Sequence, residues 1–127
     1  MSLFGQLGAQ GSVLRAALQG TAKRNEVIVN NIANADVVGF RAHRVAFEDS
    51  LIEAIGNYPH PRNRNIDVSG VQPTVHLQNP GFFYRVDGNN VDIEVEMVKL
   101  YQNSMVFDTI VSSVMVNSQR LRTIFQQ

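Results

Sequence analysis

The chain has no cysteine among its 127 residues, and its eleven acidic side chains balance its eleven basic ones. Without cysteine there are no disulfides, no thiol chemistry and no zinc sites built from thiolates. A net charge of zero argues against a nucleic-acid-binding protein, which needs an excess of lysine and arginine to neutralise phosphates. The sequence therefore points away from nucleic acid and from thiol-based catalysis.

Long apolar runs are also missing, since no stretch approaches the ~18 apolar residues that a membrane span requires. The first residues, Met1 to Gln6, carry neither a basic region nor an apolar run of the kind found in signal peptides. This pattern is typical of a cytoplasmic protein, and equally of one exported unfolded through a dedicated secretion channel. The sequence leaves both locations open.

Proline and glycine are unevenly distributed: all four prolines lie between residues 59 and 80, and no glycine follows residue 88. Because these residues are the strongest helix breakers, we predict a helical N-terminal arm over residues 1–35. A turn-rich middle region with a short β-hairpin would follow over 36–90, and a long C-terminal helix over 91–127. The predicted fold is mainly α, with long antiparallel terminal helices forming a coiled-coil-like hairpin.

Apolar residues recur at heptad spacing in the C-terminal arm, which predicts a stripe along one side of a helix. The residues of this stripe are Ile93, Leu100, Phe107, Val114 and Leu121. Asn90 or Asp92 is the candidate N-cap, and acidic residues follow where the helix dipole favours them. A helix from about Asp92 to Phe125 would be roughly 50 Å long.

The N-terminal arm carries a second stripe, formed by Leu14, Leu18, Ile28 and Ile32. We predict a helix from about Ser12 to Asn34, with Ser12 as the candidate cap. Asn25 falls at a heptad core position, where an asparagine can fix the register of two helices. Residues 1–11 contain three glycines and are expected to be loose before assembly.

The middle region predicts a hairpin, because Val71–Leu77 and Phe82–Val86 flank the turn-like sequence of residues 78–81. Pro73 inside the first predicted strand weakens this expectation. Phe47–Ile55 is predicted to form a short helix, and residues 56–70 a flexible loop.

The two apolar stripes are complementary, which predicts that the arms pack on each other and leave apolar surface for neighbouring copies. The same pattern fits a self-contained helical hairpin, because amphipathicity reports burial and not the partner. It also fits a soluble adaptor or chaperone that presents an apolar groove to a partner helix. The stripes alone do not distinguish an assembling subunit from a self-contained hairpin or from an adaptor that binds a partner helix.

Candidate catalytic and metal-binding residues do not form a recognisable site. His43, His60 and His76 lack metal-ligand spacing. Asp92, Glu94 and Glu96 lie two residues apart, and such positions do not face each other on a helix, so we interpret them as first-turn acids. The run Asp87-Gly88-Asn89 lacks the sixth-position glycine and the closing glutamate of a calcium loop. We therefore expect no enzyme, no metal and no cofactor.

A run rich in asparagine closes the N-terminal arm, although asparagine favours caps and turns over helix interiors. Its residues are Asn30, Asn31, Ile32, Ala33, Asn34 and Ala35, followed by Gly39 and Phe40. This run resembles the signature of the flagellar axial proteins, Asn-Ile-Ala-Asn-Ala, then a polar stretch, then glycine and an aromatic residue. Where that family often has Asp-Thr-Pro-Gly-Tyr, this chain has Asp36-Val37-Val38-Gly39-Phe40.

Three further segments extend the resemblance over most of the chain, namely residues 40–48, 87–97 and 121–124. Within the flagellar axial family they are most similar to the small proximal rod proteins of the basal body, the B-type rod subunits. The short chain also fits these subunits better than the hook and distal rod proteins, which carry larger inserted domains.

The resemblance implies a structural subunit that is exported unfolded by the flagellar type III apparatus and assembles in the periplasmic rod. Its terminal helices would surround the export channel and transmit torque. The implied partners are further copies of the chain, other rod subunits, the rod adaptor protein and the membrane-ring protein. Asn31 and Asn34 would end the helix, Gly39 would permit a backbone angle or a close contact, and Phe40 would anchor a subunit contact or the long helix.

Overall fold

The structure, a computed structural model, describes residues 3–56, 66–78 and 85–126, with side chains from residue 8 onward. In chain order the elements are α1 (Leu3–Ala33), β1 (His43–Ala46), α2 (Glu48–Gly56), β2 (Thr74–Leu77) and α3 (Ile93–Phe125). The prediction of a mainly α fold is confirmed, with long terminal helices and a small antiparallel sheet between them.

Helix α3 begins and ends close to the predicted positions. The Asp92 side chain accepts hydrogen bonds from the backbone N–H groups of Glu94, at 3.0 Å, and Val95, at 3.3 Å. Its backbone is extended, as an N-cap requires. At the other end the N–H of Gln126 donates to the carbonyl of Arg122. With no glycine or proline in between, the helix runs uninterrupted for 33 residues.

Helix α1 begins at Leu3, well before the predicted start at Ser12, so that prediction is wrong. Ser12 lies inside the helix, and its hydroxyl donates to the carbonyl of Ala9 at 2.8 Å. Glycine costs a helix ~1 kcal/mol relative to alanine but does not break it. The early turns of α1 lie along the end of α3, where Leu14 and Leu121 line one groove. Packing against α3 therefore outweighs the local propensity.

The two long helices run antiparallel. Asn31, near the end of α1, bonds to Glu96, near the start of α3, at 3.0 Å. Further along, the Asn103 Nδ2 donates to the carbonyl of Thr21 at 2.9 Å. Asn25, predicted at a core position, is exposed, and the buried asparagines of this interface are Asn31 and Asn103. An ideal helix drifts ~20° per heptad from a strict seven-residue repeat, which moves individual positions off the contact line.

Strand β2 pairs with β1 in an antiparallel register that places His43 opposite Leu77 and Ala46 opposite Thr74. The sequence instead predicts that this strand pairs across the following turn. Most of that expected partner, residues 82–84, lies outside the described residues, and Val86 lies in a turn. Pro73 immediately precedes β2, where a missing N–H is tolerated. The predicted short helix is present as α2.

Two small apolar clusters tie the middle region to α1 and to the turn that follows it. One contains Val27, Val45 and Phe47, with Leu51 of α2 packed against it. The other contains Ala35, Ala42 and Val91, with Phe40 packed against it. Helix α3 contributes only polar residues to the fully buried set, Glu96 and Asn103.

The predicted stripe residues differ in how deeply they are covered. Ile28 is buried, and Ile93 and Val114 are exposed. The remaining six, Leu14, Leu18, Ile32, Leu100, Phe107 and Leu121, are half-buried. Among the described helices, none has the combination of length and apolar character needed to cross a membrane.

Candidate functional site

Four of the most deeply buried side chains are polar: Asn31, Asn89, Asn90 and Glu96. They come from the end of α1, the segment before α3 and the first turn of α3, and we refer to them together as the polar junction. Burying a polar group costs free energy unless it is hydrogen-bonded. The partners of these side chains therefore show which parts of the chain the junction holds together.

Asn31 binds the backbone of β1 through both the oxygen and the nitrogen of its side-chain amide. Its Oδ1 accepts from the His43 N–H at 2.9 Å, and its Nδ2 donates to the His43 carbonyl at 2.9 Å. The Nδ2 also donates to Oε2 of Glu96 at 3.0 Å. One side chain thus satisfies both backbone groups at the edge of β1 that faces away from β2. Asn31 consequently joins α1, β1 and α3.

Glu96 is buried with two cations around its carboxylate. Its Oε1 lies 2.7 Å from the Arg44 guanidinium of β1 and 3.4 Å from the Lys99 ammonium. From the sequence Glu96 is interpreted as a first-turn acid, and Arg44 is not predicted as its partner. One signal was available, because Glu96 shares a helix face with Leu100 and Asn103 at i+4 and i+7, the face that meets α1.

Asn89 holds the turn that follows α1. Its Nδ2 lies 3.1 Å from the carbonyl oxygen of Asn34, 2.9 Å from that of Ala35 and 2.8 Å from that of Val37. Its Oδ1 accepts from the Val91 N–H at 2.8 Å. These three carbonyls lie just beyond the end of α1 at Ala33, so the segment leading into α3 fixes the path of the chain as it leaves the helix. Asn89 is not among the site residues that the sequence predicts.

Asn90 completes the junction, because its Oδ1 accepts from the Ala42 N–H at 2.6 Å. Its Nδ2 is buried without a hydrogen-bond partner among the described residues. The two candidate N-caps thus have different roles: Asp92 caps α3, and Asn90 holds the chain that enters β1.

Gly39 lies at the turn that leads out of α1, with φ at +72°. A Cβ atom at this position would meet nothing within 4 Å. Of the two possibilities left open by the sequence, the structure therefore shows the backbone angle and not the close contact. The adjacent Phe40 packs inside the chain, with its ring 5.7 Å from that of His43.

We expect Gly39→Val to lower the free energy of unfolding by about 1–3 kcal/mol, because a β-branched residue is strained at positive φ. Gly39→Asn should cost less, since asparagine adopts this conformation more readily. Urea denaturation followed by circular dichroism measures both. If both variants lost the same free energy of unfolding, strain at the positive φ of residue 39 would not be the cause.

The rest of the asparagine-rich run divides between buried and exposed positions. Ala35 is buried, whereas Asn30 and Ala33 are exposed. Ile32 and Asn34 are half-buried, and the Asn34 Nδ2 donates to the Asn30 carbonyl at 2.7 Å. The structure therefore places Asn31 against β1 and the start of α3, and Ala35 against the segment before α3, while Asn30 and Ala33 face outward.

An ion pair joins the start of α2 to α1 beside the junction. The Arg24 guanidinium contacts Glu48 and lies 5.0 Å from the centre of the Phe47 ring. Partial burial by itself would raise the pKa of Glu48, but the hydrogen bond and charge of Arg24 outweigh it and lower the pKa below 4.5. The ion pair is therefore present at neutral pH and weakens as pH falls through that lowered pKa.

The chemistry of this site is structural. In the described part of the chain, no three or more histidine, aspartate or glutamate side chains are placed to hold a metal ion. The junction instead fixes the end of α1, the edge of β1 and the start of α3 with buried, directional hydrogen bonds. Such an arrangement holds α1 and α3 in one relative position.

Comparison with known proteins matches this arrangement to one family. The family model described as Flagella basal body rod protein matches residues 12–41, which include most of α1 and the asparagine-rich run. The Flagellar basal body rod protein FlgB of Bacillus subtilis (strain 168) is 32% identical over 98% of this chain and 96% of its own length. FlgB of Borrelia hermsii is 35% identical over 66% of this chain and 71% of its own length. FlgB of Aeromonas hydrophila is 33% identical over 73% of this chain and 74% of its own length. Because similarity at this level spans nearly the full length of both chains, the chain belongs to the family of flagellar basal body rod proteins named FlgB.

Proposed function

We propose that this chain is a structural subunit of the proximal rod. Copies would polymerise through α1 and α3 around the export channel and transmit torque through the packed helices. Membership of the family supports a place in the flagellar basal body rod. The finer role rests on one observation, the long exposed apolar surface of α3.

Helix α3 is about 50 Å long, and α1 is the element that packs along it. Most of the large apolar side chains that are exposed in the described residues lie on α3. Tyr101 and Met105, one turn apart, are 67% and 70% exposed. Extended apolar surfaces of this kind mark protein interaction sites. Neighbouring helices in a helical inner layer would cover this surface.

Torque transmission is supported by the polar contacts between the two long helices. Asn31 with Glu96, and Asn103 with the Thr21 carbonyl, join α1 and α3 at two separate levels. Hydrogen bonds weaken steeply when their geometry is distorted. Rotation of one helix about the other would break these buried bonds, so the pair resists twisting.

The partners and the location belong to the same proposal. We infer contacts with other rod subunits, the rod adaptor protein and the membrane-ring protein. We also infer a periplasmic position in the rod, reached by flagellar type III export without a cleavable signal peptide. The names of the relatives support the basal body, and the finer assignments follow from the proposed rod role.

The test places charges on the exposed surface of α3. Tyr101→Glu combined with Met105→Glu should prevent incorporation into basal bodies and abolish motility on soft agar. Because both side chains are exposed, the stability of the isolated protein should change by only about 0.5 kcal/mol per site. Asn30→Asp, which adds a charge at an exposed position of α1, is the control and should assemble normally.

Two results would count against the proposal. The first is normal rods built from the folded double variant. The second is absence of the wild-type chain from purified basal bodies together with a stable folded monomer that binds a partner helix. That second result would favour the adaptor considered from the sequence.

A further inference from the structure

A cleft of about 330 Å³ opens beside the polar junction, between α1, β1 and α3. Its floor is apolar and includes Val27 and Val45, with Val106 of α3 at one side. Its rim carries Arg24, Arg44 and Lys99, and we refer to the whole as the basic cleft.

The rim has more positive than negative charge. Arg24 pairs with Glu48, whereas Arg44 and Lys99 share the single carboxylate of Glu96. Neither carboxylate lines the cleft. Three cations are therefore opposed by two anions, with an apolar floor between them. A surface of this kind fits an apolar side chain that is flanked by carboxylates.

Helix α2 presents that chemistry on its outer side. Asp49, Ile52 and Glu53 are spaced i, i+3 and i+4, so they share one helix face, which we call the acidic face. Ile52 is 65% exposed, while the adjacent Leu51 packs inward against the Val27 cluster. Asp49 and Glu53 are exposed and make no ion pair within the described part of the chain.

The acidic face is unfavourable in a lone chain. Two like charges at i and i+4 destabilise a helix, and the isoleucine between them is left in water. Opposing cations and an apolar floor would relieve both effects. The chain's own acidic face is not in its own cleft, because Ile52 remains exposed.

We propose that the acidic face of one copy docks into the basic cleft of the next copy. Ile52 would cover the apolar floor, and the carboxylates of Asp49 and Glu53 would meet Arg44 and Lys99, respectively. The inference rests on the proposed function, because it requires copies to assemble. A contact in which the acidic face of each copy enters the cleft of the next copy is head-to-tail, and such contacts build open helical filaments when the rotation does not close.

The absence of cysteine from the chain allows a direct test. Ile52→Cys in one copy and Val106→Cys in another are co-expressed, and isolated basal bodies are oxidised. A disulfide requires Cα atoms about 4.4–6.8 Å apart, so a cross-linked dimer of the two variants is the expected result. Ile52→Cys paired with Val116→Cys is the control. Val116 lies on α3, as Val106 does, and the two side chains are similarly exposed, at 45% and 49%. The control yield should be at least about tenfold lower.

A charge exchange tests the electrostatic part. Glu53→Lys alone and Lys99→Glu alone should each lower the cross-linking yield by about tenfold, because each places like charges together. The two changes combined should recover at least half of the starting yield, with circular dichroism confirming that each variant is folded. Failure of this recovery would overturn the charge pairing on which the proposal depends.

The outcomes separate the two proposals. Wild-type chain present in basal bodies, with no cross-link between positions 52 and 106, overturns the docking and leaves the rod function intact. Absence of the wild-type chain from basal bodies overturns the rod function and the docking with it.

Discussion

Asn31→Ala is expected to lower the free energy of unfolding by about 3–5 kcal/mol. The substitution removes both hydrogen bonds to the His43 backbone and one donor to the buried Glu96 carboxylate. Each buried group left without a partner costs ~1–3 kcal/mol, and a charged group costs more. Urea denaturation of the purified protein, followed by far-ultraviolet circular dichroism, measures the change.

The neighbouring residue provides a matched control. Asn30 is exposed at the same end of α1, and Asn30→Ala should change stability by no more than about 0.5 kcal/mol. Similar losses at the two positions would mean that the polar junction is not what stabilises this end of the helix.

Gly20→Ala is expected to destabilise the protein by about 1–3 kcal/mol, although alanine is the better helix former. A Cβ atom at Gly20 would lie 2.5 Å from the Phe47 Cδ2 and Cε2 atoms. Phe47 is buried with Val27 and Val45, so its ring has little room to move away. The cost of overpacking should therefore exceed the gain in helix propensity.

Gly11→Ala is the control in the same helix, because its added Cβ atom would meet nothing within 4 Å. It should stabilise the protein by up to about 1 kcal/mol. Thermal unfolding of the two variants should therefore shift the midpoint in opposite directions. Phe47→Leu introduced with Gly20→Ala should recover part of the loss, and stabilisation by Gly20→Ala alone would contradict the close approach.

The long helices could be predicted because their signals are local. The heptad stripe, the Asp92 cap and the lack of breakers after Gly88 are all contained within the α3 segment. The early start of α1 could not be predicted in this way, because it depends on packing against the end of α3. Strand β1 was missed for a related reason, since its four residues are stabilised by β2 and Asn31 and not by their own pattern.

The candidate site was only partly visible in the sequence. The asparagine-rich run stood out because asparagine is unusual in a helix, and Asn31 was identified there. Its contact with Glu96 joins residues 65 positions apart, and Asn89 reaches carbonyls more than 50 positions away. The spacing of Glu96 from Leu100 and Asn103 places it on the face that meets α1, but nothing near Glu96 or Asn89 in the chain identifies the individual partners. Glu96 also matched a simpler explanation, the preference of acids for the first turn of a helix.

The polar junction also affects the order in which the protein can fold. Its members come from near residue 31 and from residues 89–96, so the chain must be synthesised as far as Glu96 before the junction can close. Until then the Asn31 amide lacks its bond to Glu96, and the carbonyls that Asn89 binds remain open to water. The native arrangement of α1 and α3 is therefore a late event in the synthesis of the chain.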